Sequence, residues 1–310
     1  MNGLAGRSLR GLAARWNAFF FRPFDLRVVC AFRALFAALM LANVASLALD
    51  RTYFFGADGV LPLGVSVAIR DPHAHTVFEL LPDTQAVIGA GLALWALHAV
   101  LLLLGWFPRV QAFGVFFWVT AFQHRAVILF DGEDQLLRMF ALFLVFIPTD
   151  RFLSVHAWVR RRRGEAAPER FGSAWAMRLV QVQMTLVYVG AAVTKARGHE
   201  WWDGTAMWYV TRSDDSFGRF PLPAALLDSL PALRALTWAT LAFELVLPLA
   251  LWWPRTRRIA LLLAAAFHVA IDYSMMMFLF HPLMLVGLLS FVAPRGERGV
   301  GSTSRRAADS

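Results

Sequence analysis

The apolar residues of this chain gather into eight long blocks rather than recurring at the spacing of an amphipathic helix. That grouping decides what the chain can fold into. The blocks run over 26–49, 84–106, 109–124, 134–149, 175–195, 232–253, 257–273 and 276–293. A stretch of about 20 apolar residues matches the ~30 Å hydrocarbon core of a bilayer. No water is present there to satisfy backbone N–H and C=O groups, so a spanning segment must bond internally as a helix. The composition agrees: 58% of residues are hydrophobic and 16% are charged, against about a quarter charged in soluble domains. The predicted fold is all-α, a polytopic membrane helix bundle of about eight spans, with the lipid bilayer as its first partner. Residues 1–25 form a cytoplasmic or interfacial segment, 26–293 the transmembrane domain and 294–310 a disordered cytoplasmic tail. No short apolar core with a small-residue cleavage site precedes the first span, so no cleavable signal peptide is expected.

Arginine placement sets the orientation. With the N-terminus inside, the inner segments hold 18 arginines and the outer segments six. Lys and Arg are retained on the cytoplasmic side, so both termini are expected there, in a bacterial inner membrane. The basic, aromatic stretch Trp16–Arg22 reads as a short helix lying in the inner interface. Two sizeable loops, 50–83 and 196–231, then lie outside. The net charge of +9 does not indicate nucleic acid, because the arginines punctuate the spans instead of lining one face. A single cysteine, Cys30, excludes an internal disulfide.

Of the 30 basic residues, 29 are arginine and one is lysine, Lys195. A chain that uses Arg wherever a cation will do places Lys where Arg will not. Arg stays protonated, whereas a desolvated lysine can shed its proton and act as a base or nucleophile. Lys195 ends the fifth span, in Tyr188-Val-Gly-Ala-Ala-Val-Thr-Lys195, and His199, Glu200, Trp201, Trp202 and Asp203 follow it. The plainer account is a lysine snorkelling to the headgroups beside an interfacial aromatic belt and an Asp-Gly turn. That account explains the tryptophans better than it explains the lysine.

Three more polar groups belong to this reading. Glu244 is an acid deep in span six. A charge in hydrocarbon costs about 2.5–3.5 kcal/mol or more, so Glu244 must be paired, protonated or turned to a cavity; Arg33, Arg138 and Arg178 are structural partners to weigh. His268 lies in the outer half of span seven, either as a proton relay or as a histidine bonded across the core. His281, before Pro282, reads as structural. The outer loop between spans three and four carries His124, Arg125 and Asp134, as functional groups or as a solvated turn. His73, His75 and Asp71 are too few and too local to specify a metal site.

Tyr188–Lys195 followed by Trp201-Trp202-Asp203-Gly204 resembles the HTTM (horizontally transferred transmembrane) domain family, related to the membrane part of vitamin K-dependent gamma-glutamyl carboxylase. His124-Arg125, Gly132, Asp134, Arg138, Glu244 and Phe267-His268 support the likeness, which covers roughly 20–293. In the carboxylase, the lysine of that segment is the proposed base toward vitamin K hydroquinone. The resemblance therefore implies Lys195 as the base, with His268 and His124 as further catalytic groups. It implies Arg125, Asp134, Trp202, Asp203 and Glu244 as binding or supporting residues, and a reduced quinone of the vitamin K or menaquinol type as the cofactor. Thr194 stands where the carboxylase has the first of two lysines. The carboxylase's lumenal peptide-binding domain has no counterpart in the printed sequence, so glutamate carboxylation itself is not expected.

Two functions follow. One is quinol-dependent carboxylase- or oxygenase-like chemistry at the outer face. The other is a non-enzymatic maturation or assembly factor for a secreted peptide or protein, a role that a bacterial relative serves for a peptide toxin. A secondary transporter would need paired interrupted spans, a pattern the blocks do not follow.

Overall fold

A computed structural model describes residues 2–129, 131–213, 217–220 and 222–292, with side chains from residue 11 onward. The disordered tail expected at 294–310 lies outside the described residues.

Helix α1 (Asn2–Phe20) is followed by α2 (Leu26–Leu49). The 50–83 loop carries α3 (Arg51–Phe55), α4 (Leu63–Ile69) and a 3-10 turn at Val77–Leu80. Then come α5 (Gln85–Leu104), α6 (Pro108–Arg125), α7 (Gly132–Val145), α8 (Val155–Arg162) and α9 (Ala176–Lys195). The 196–231 loop holds three short helices, α10 (His199–Trp202), α11 (Ala206–Val210) and α12 (Ala224–Leu227). Helices α13 (Leu230–Trp252), α14 (Arg257–Ser274) and α15 (Phe280–Leu288), the last running on into a 3-10 turn, complete the bundle. Each of the eight apolar blocks thus contains one helix. Among the described residues four helices, α2, α5, α9 and α13, are long and apolar enough to cross a membrane. The other four are shorter or more polar. Helix α7 stops before Pro148, and α15 starts only at Phe280 because 275–279 is mostly extended or turn.

Helix ends are fixed by short polar side chains. Asp25, Thr84, Ser154 and Ser229 each accept a backbone N–H at the start of α2, α5, α8 and α13. Each satisfies one of the orphan donors of a first turn. At the opposite end of α5, Gly105 takes the left-handed conformation at φ 67° and stops the helix. Asp131 and Asp134 form a capping box on α7: Asp131 accepts from Glu133 N at 2.7 Å, and Asp134 accepts from Asp131 N at 3.3 Å.

Lipid tails are as apolar as leucine, so close packing rather than the hydrophobic effect holds such helices together. The interior shows this. Phe32 and Phe36 on α2 meet Phe140 on α7, with ring centroids 5.3 and 6.3 Å apart. Gly114 lets α6 lie against α5: a Cβ there would come within 2.5 Å of the His98 ring. That ring is held by Gln111 at 2.7 Å.

The two ends of the bundle differ. At the end where α2 begins, Arg170 reaches Asp25 at 2.9 Å and residues 24–25 pair with 171–172 as a minimal antiparallel ribbon. Arg178 donates to the Phe19 carbonyl at 2.8 Å, tying α1 down. At the other end the 50–83 loop is stapled over α5 and α6. Arg125, fully buried, donates to the Leu61 carbonyl at 2.7 Å and pairs with Asp83 at 3.4 Å. Ser66 and Thr76 donate to carbonyls of α6 at 2.6 and 2.7 Å. Arg70 pairs with Glu79 at 2.6 Å, and Glu79 also accepts from Thr76 N at 2.7 Å.

Two predictions follow from these contacts. Gly114→Ala should overpack the α5–α6 contact and cost about 1–3 kcal/mol, read as a lowered unfolding midpoint in detergent. The Arg70 guanidinium holds the Glu79 carboxyl at a pKa of about 2, below its usual 4.5. A carboxylate depressed on folding stabilises above its free pKa and loses that contribution as pH falls through the folded one. Hydrogen exchange at residues 76–80 should therefore accelerate as pH drops from about 4.5 towards about 2, beyond the intrinsic trend. An Arg70→Met variant should already exchange fast at neutral pH and show little further step.

Candidate functional site

The loop end of the bundle contains a cavity of about 560 Å³ between α9, α13, α14 and α15, roofed by the 196–231 loop. That volume suits a small organic ligand. Its wall is mostly Leu, Met, Val, Ile and Phe, with polar groups confined to a few positions, among them Lys195, Glu244, Tyr188, His268 and His281.

Lys195 is the last residue of α9, and Glu244 faces it from the middle of α13. Nζ lies 2.8 Å from Oε1, with side-chain exposures of 26% and 8%. The partner of the mid-span acid is thus the lone lysine, not Arg33, Arg138 or Arg178. Arg33 donates instead to the Leu153 carbonyl, and Arg178 to Phe19 and Gln181. The Trp201 indole stands over the ammonium at 5.4 Å, an attractive cation–π contact. The second oxygen of Glu244, Oε2, is buried without a hydrogen-bond partner among the described residues. Leaving such an atom unsatisfied is costly, so it marks either a ligand contact or a tolerated defect.

Two turns back along α9 from Lys195, on the same face, Tyr188 lies 2.7 Å from His268 Nε2 on α14. His268 Nδ1 lies 2.9 Å from His281 Nδ1 on α15. All three side chains are about 2% exposed. His268 is where the sequence reading places it. Tyr188 and His281 were missed as site residues. The signal for Tyr188 is its seven-residue offset from Lys195, which returns to one helix face. For His281 it is an ionisable ring within an apolar stretch, which a preceding-proline reading hid.

The remaining residues singled out from the sequence lie elsewhere. His124 Nδ1 contacts the His75 carbonyl at 2.7 Å, in the 50–83 staple, and it does not line the cavity. Arg125 is part of that same staple. Asp134 closes the α7 cap and borders a second, smaller cavity of about 130 Å³ with Asn43, Trp95 and Glu133. Trp202 is 64% exposed and donates to the Ala196 carbonyl at 2.7 Å. Asp203 accepts from Thr205 N and Oγ1 at 2.8 and 2.6 Å, which shapes the turn after α10 and holds its carboxyl below the usual range. Lys195, Glu244 and His268 therefore share one wall; His124, Arg125 and Asp134 form a separate group around the 50–83 loop and the α6–α7 connection.

Comparison with known proteins bears on this arrangement. The sporulation-delaying protein SdpB of Bacillus subtilis (strain 168) is 26% identical over 200 residues, covering 63% of this chain and 61% of that protein. The uncharacterized protein YitO of the same strain is 25% identical over 201 residues, covering 63% and 64%. The chain thus matches a little over three fifths of the length of either relative. No solved structure matches. The model of the HTTM domain spans residues 21–295, taking in every wall of the cavity, and this chain belongs to the HTTM-domain family.

Proposed function

We propose that the cavity binds the ring of a reduced quinone of the menaquinol or vitamin K type, and that Lys195 and Glu244 together take a proton from its hydroxyl. The observation that carries this reading is the pairing of the chain's one lysine with its one mid-span acid on the wall of an otherwise apolar cavity. The residues fit such a group. The Leu, Met and Phe lining suits a flat ring and its tail, and the unsatisfied Glu244 Oε2 suits a hydroxyl donor. A bound quinol would supply an oxidisable ring and an acidic O–H. The chain would supply the base, the dry wall and the orientation.

The pair acts as one acid–base unit. Nζ and Oε1 at 2.8 Å can share a proton in either arrangement, ammonium–carboxylate or amine–acid. In the amine–acid arrangement the neutral Nζ would accept the proton, giving an ammonium beside a carboxylic acid, and the positive charge so created would be balanced by the quinol anion left in the cavity. Trp201 shields Nζ on the loop side, and His268, through Tyr188, sets the polar edge of the wall. The reading places the site at the outer face of a bacterial inner membrane, with the arginine-rich helix ends and both termini in the cytoplasm.

A second reading has its own support. Trp202, Tyr209 and Phe220 of the 196–231 loop are 64, 57 and 46% exposed, and exposed aromatics of this kind could hold a secreted peptide or protein during maturation or assembly. Affinity purification from the native membrane separates the two readings. Quinone in the lipid extract supports the first; a stoichiometric secreted partner without quinone supports the second.

The decisive variant is Lys195→Arg, which keeps charge and bulk but cannot give up its proton. Menadiol-dependent oxygen consumption by the purified protein should fall about 100-fold or more. Menadione binding, read by tryptophan quenching, should change little. Turnover that survives this substitution removes the base assignment.

A further inference from the structure

At the end of the bundle where α2 begins, positive charge collects around a cavity of about 210 Å³. Arg22, from the link between α1 and α2, Arg178, in the first turn of α9, and Arg257, the first residue of α14, all line it. The three are far apart in sequence, so packing rather than a basic run brings them together. Arg178 donates from Nε to the Phe19 carbonyl at 2.8 Å and from Nη1 to Gln181 Oε1 at 2.6 Å. The Phe19 and Phe24 rings lie 5.3 and 4.9 Å from its guanidinium. Arg257 donates to the Leu251 and Trp252 carbonyls at 3.0 and 3.4 Å, on the last turn of α13. These bonds to neutral groups fix where the guanidinium groups sit. The one acid in the lining, Asp25, is paired with Arg27 and Arg170 at 3.2 and 2.9 Å, and neither of those arginines lines the cavity. Like charges gathered around one small space repel, and an anion placed among them relieves that repulsion.

We propose that this cavity binds the phosphate of an anionic phospholipid, drawn from the leaflet at that end of the bundle. The planar fork of arginine takes phosphate oxygens two at a time. Basic pockets between membrane helices hold anionic headgroups in this way. Two observations favour a lipid over a soluble phosphate. Much of the remaining wall is aromatic: Phe19 stacks on Trp252 at 5.4 Å, and Phe291 meets Trp252 edge-on at 5.5 Å. That surface suits a glycerol and the first methylenes of an acyl chain. Trp16, on α1 just before the lining residues, and Trp253, between the lining residues Trp252 and Pro254, are both exposed. Tryptophans of this kind settle at headgroup level, which sets the cavity among lipid phosphates. A zwitterionic headgroup brings its own cation to the same arginines, so the site selects net negative charge. The bound lipid bridges α1, α9, α13 and α14 and holds α1 against the bundle. The cavity shares no lining residue with the larger one, so the proposal stands apart from the quinol reading.

The full chain, delipidated in detergent and titrated with dioleoyl phosphatidylglycerol, should show a saturable rise in its unfolding midpoint and a one-to-one adduct in native mass spectrometry. Dioleoyl phosphatidylcholine should give neither. Arg22→Gln and Arg257→Gln should each weaken the phosphatidylglycerol effect about five-fold or more. Arg255→Gln and Arg258→Gln, which remove exposed arginines beside Arg257 that do not line the cavity, should leave it unchanged. Arg22 is exposed, so its replacement keeps the fold even where loss of Arg257 frees the end of α13. Soluble sn-glycerol 1-phosphate at matched concentration separates the two sources of phosphate. No protection by it supports the lipid; protection equal to that of the lipid makes this a soluble-phosphate site and overturns the assignment. Equal binding of phosphatidylcholine overturns the charge selection on which the proposal depends. Equal losses in all four variants reduce the effect to general attraction between a basic surface and acidic lipid, and the cavity is then no site.

Discussion

Hydrocarbon offers no hydrogen-bond partners, and the architecture of this chain follows from how that deficit is met. The backbone meets it by helix formation within each segment. Side chains meet it across helices. Gln181 on α9 donates to the Ser290 carbonyl at 2.6 Å, Trp252 on α13 to Thr185 at 2.9 Å, and His98 on α5 contacts Gln111 on α6 at 2.7 Å. Each bond spans two helices that are separate in sequence. Together they fix rotations about the helix axes that small, smooth apolar faces would leave undetermined. Lys195–Glu244 and Tyr188–His268–His281 belong to this class by geometry. What separates them from the rest is where they sit, on the wall of a large cavity, and that each leaves a buried atom unsatisfied.

The loops obey a different rule. The 50–83 segment is held by charge-assisted bonds from Arg125 and Arg70 and by hydroxyls donating to carbonyls in the last turns of α6. Arg125 serves there as a staple because its fork can reach a carbonyl and a carboxylate at once. The 196–231 segment is held by contacts to α13 and α14, including Trp238 Nε1 on the Trp202 carbonyl at 3.2 Å and the Met207 N–H on Thr237 at 3.1 Å. One loop closes the α5–α6 side of the bundle; the other roofs the cavity. A polar cluster in the first loop and a polar cluster beside the second therefore have separate surroundings, although both fall at the same end.

Much of this was readable from residue order alone. Leu26–Leu49 and 175–195 emerge nearly to the residue, because an apolar block ending in a capping Asp or a lone cation has little freedom in where it begins and ends. The last span is displaced: 276–279 is as apolar as the helix that follows, so hydropathy could not tell extended chain from helix there. The lysine and the mid-span acid were each visible as anomalies. Their pairing was not, since 49 residues separate them and helix rotation decides which of several cations an acid meets. His124, Arg125 and Asp134 were grouped with them because residue type marks reactivity equally well in a loop clamp, a helix cap and a site. Only packing distinguishes the three.

The identity of the cation at position 195 can be argued one step further. A guanidinium opposite Glu244 would engage both carboxylate oxygens through its planar fork, the geometry that makes Arg the usual partner of buried acids. Both oxygens would then be satisfied and the cation permanently charged: a good structural pair. The ammonium of Lys195 is a point donor, reaches Oε1 alone and leaves Oε2 without a partner. In a chain whose every other basic position is arginine, this pair alone has the weaker clamp. The stability given up there is what leaves one oxygen and one exchangeable proton at the cavity wall. A purely structural pair gains nothing from either; the acid–base role proposed for this pair would use both.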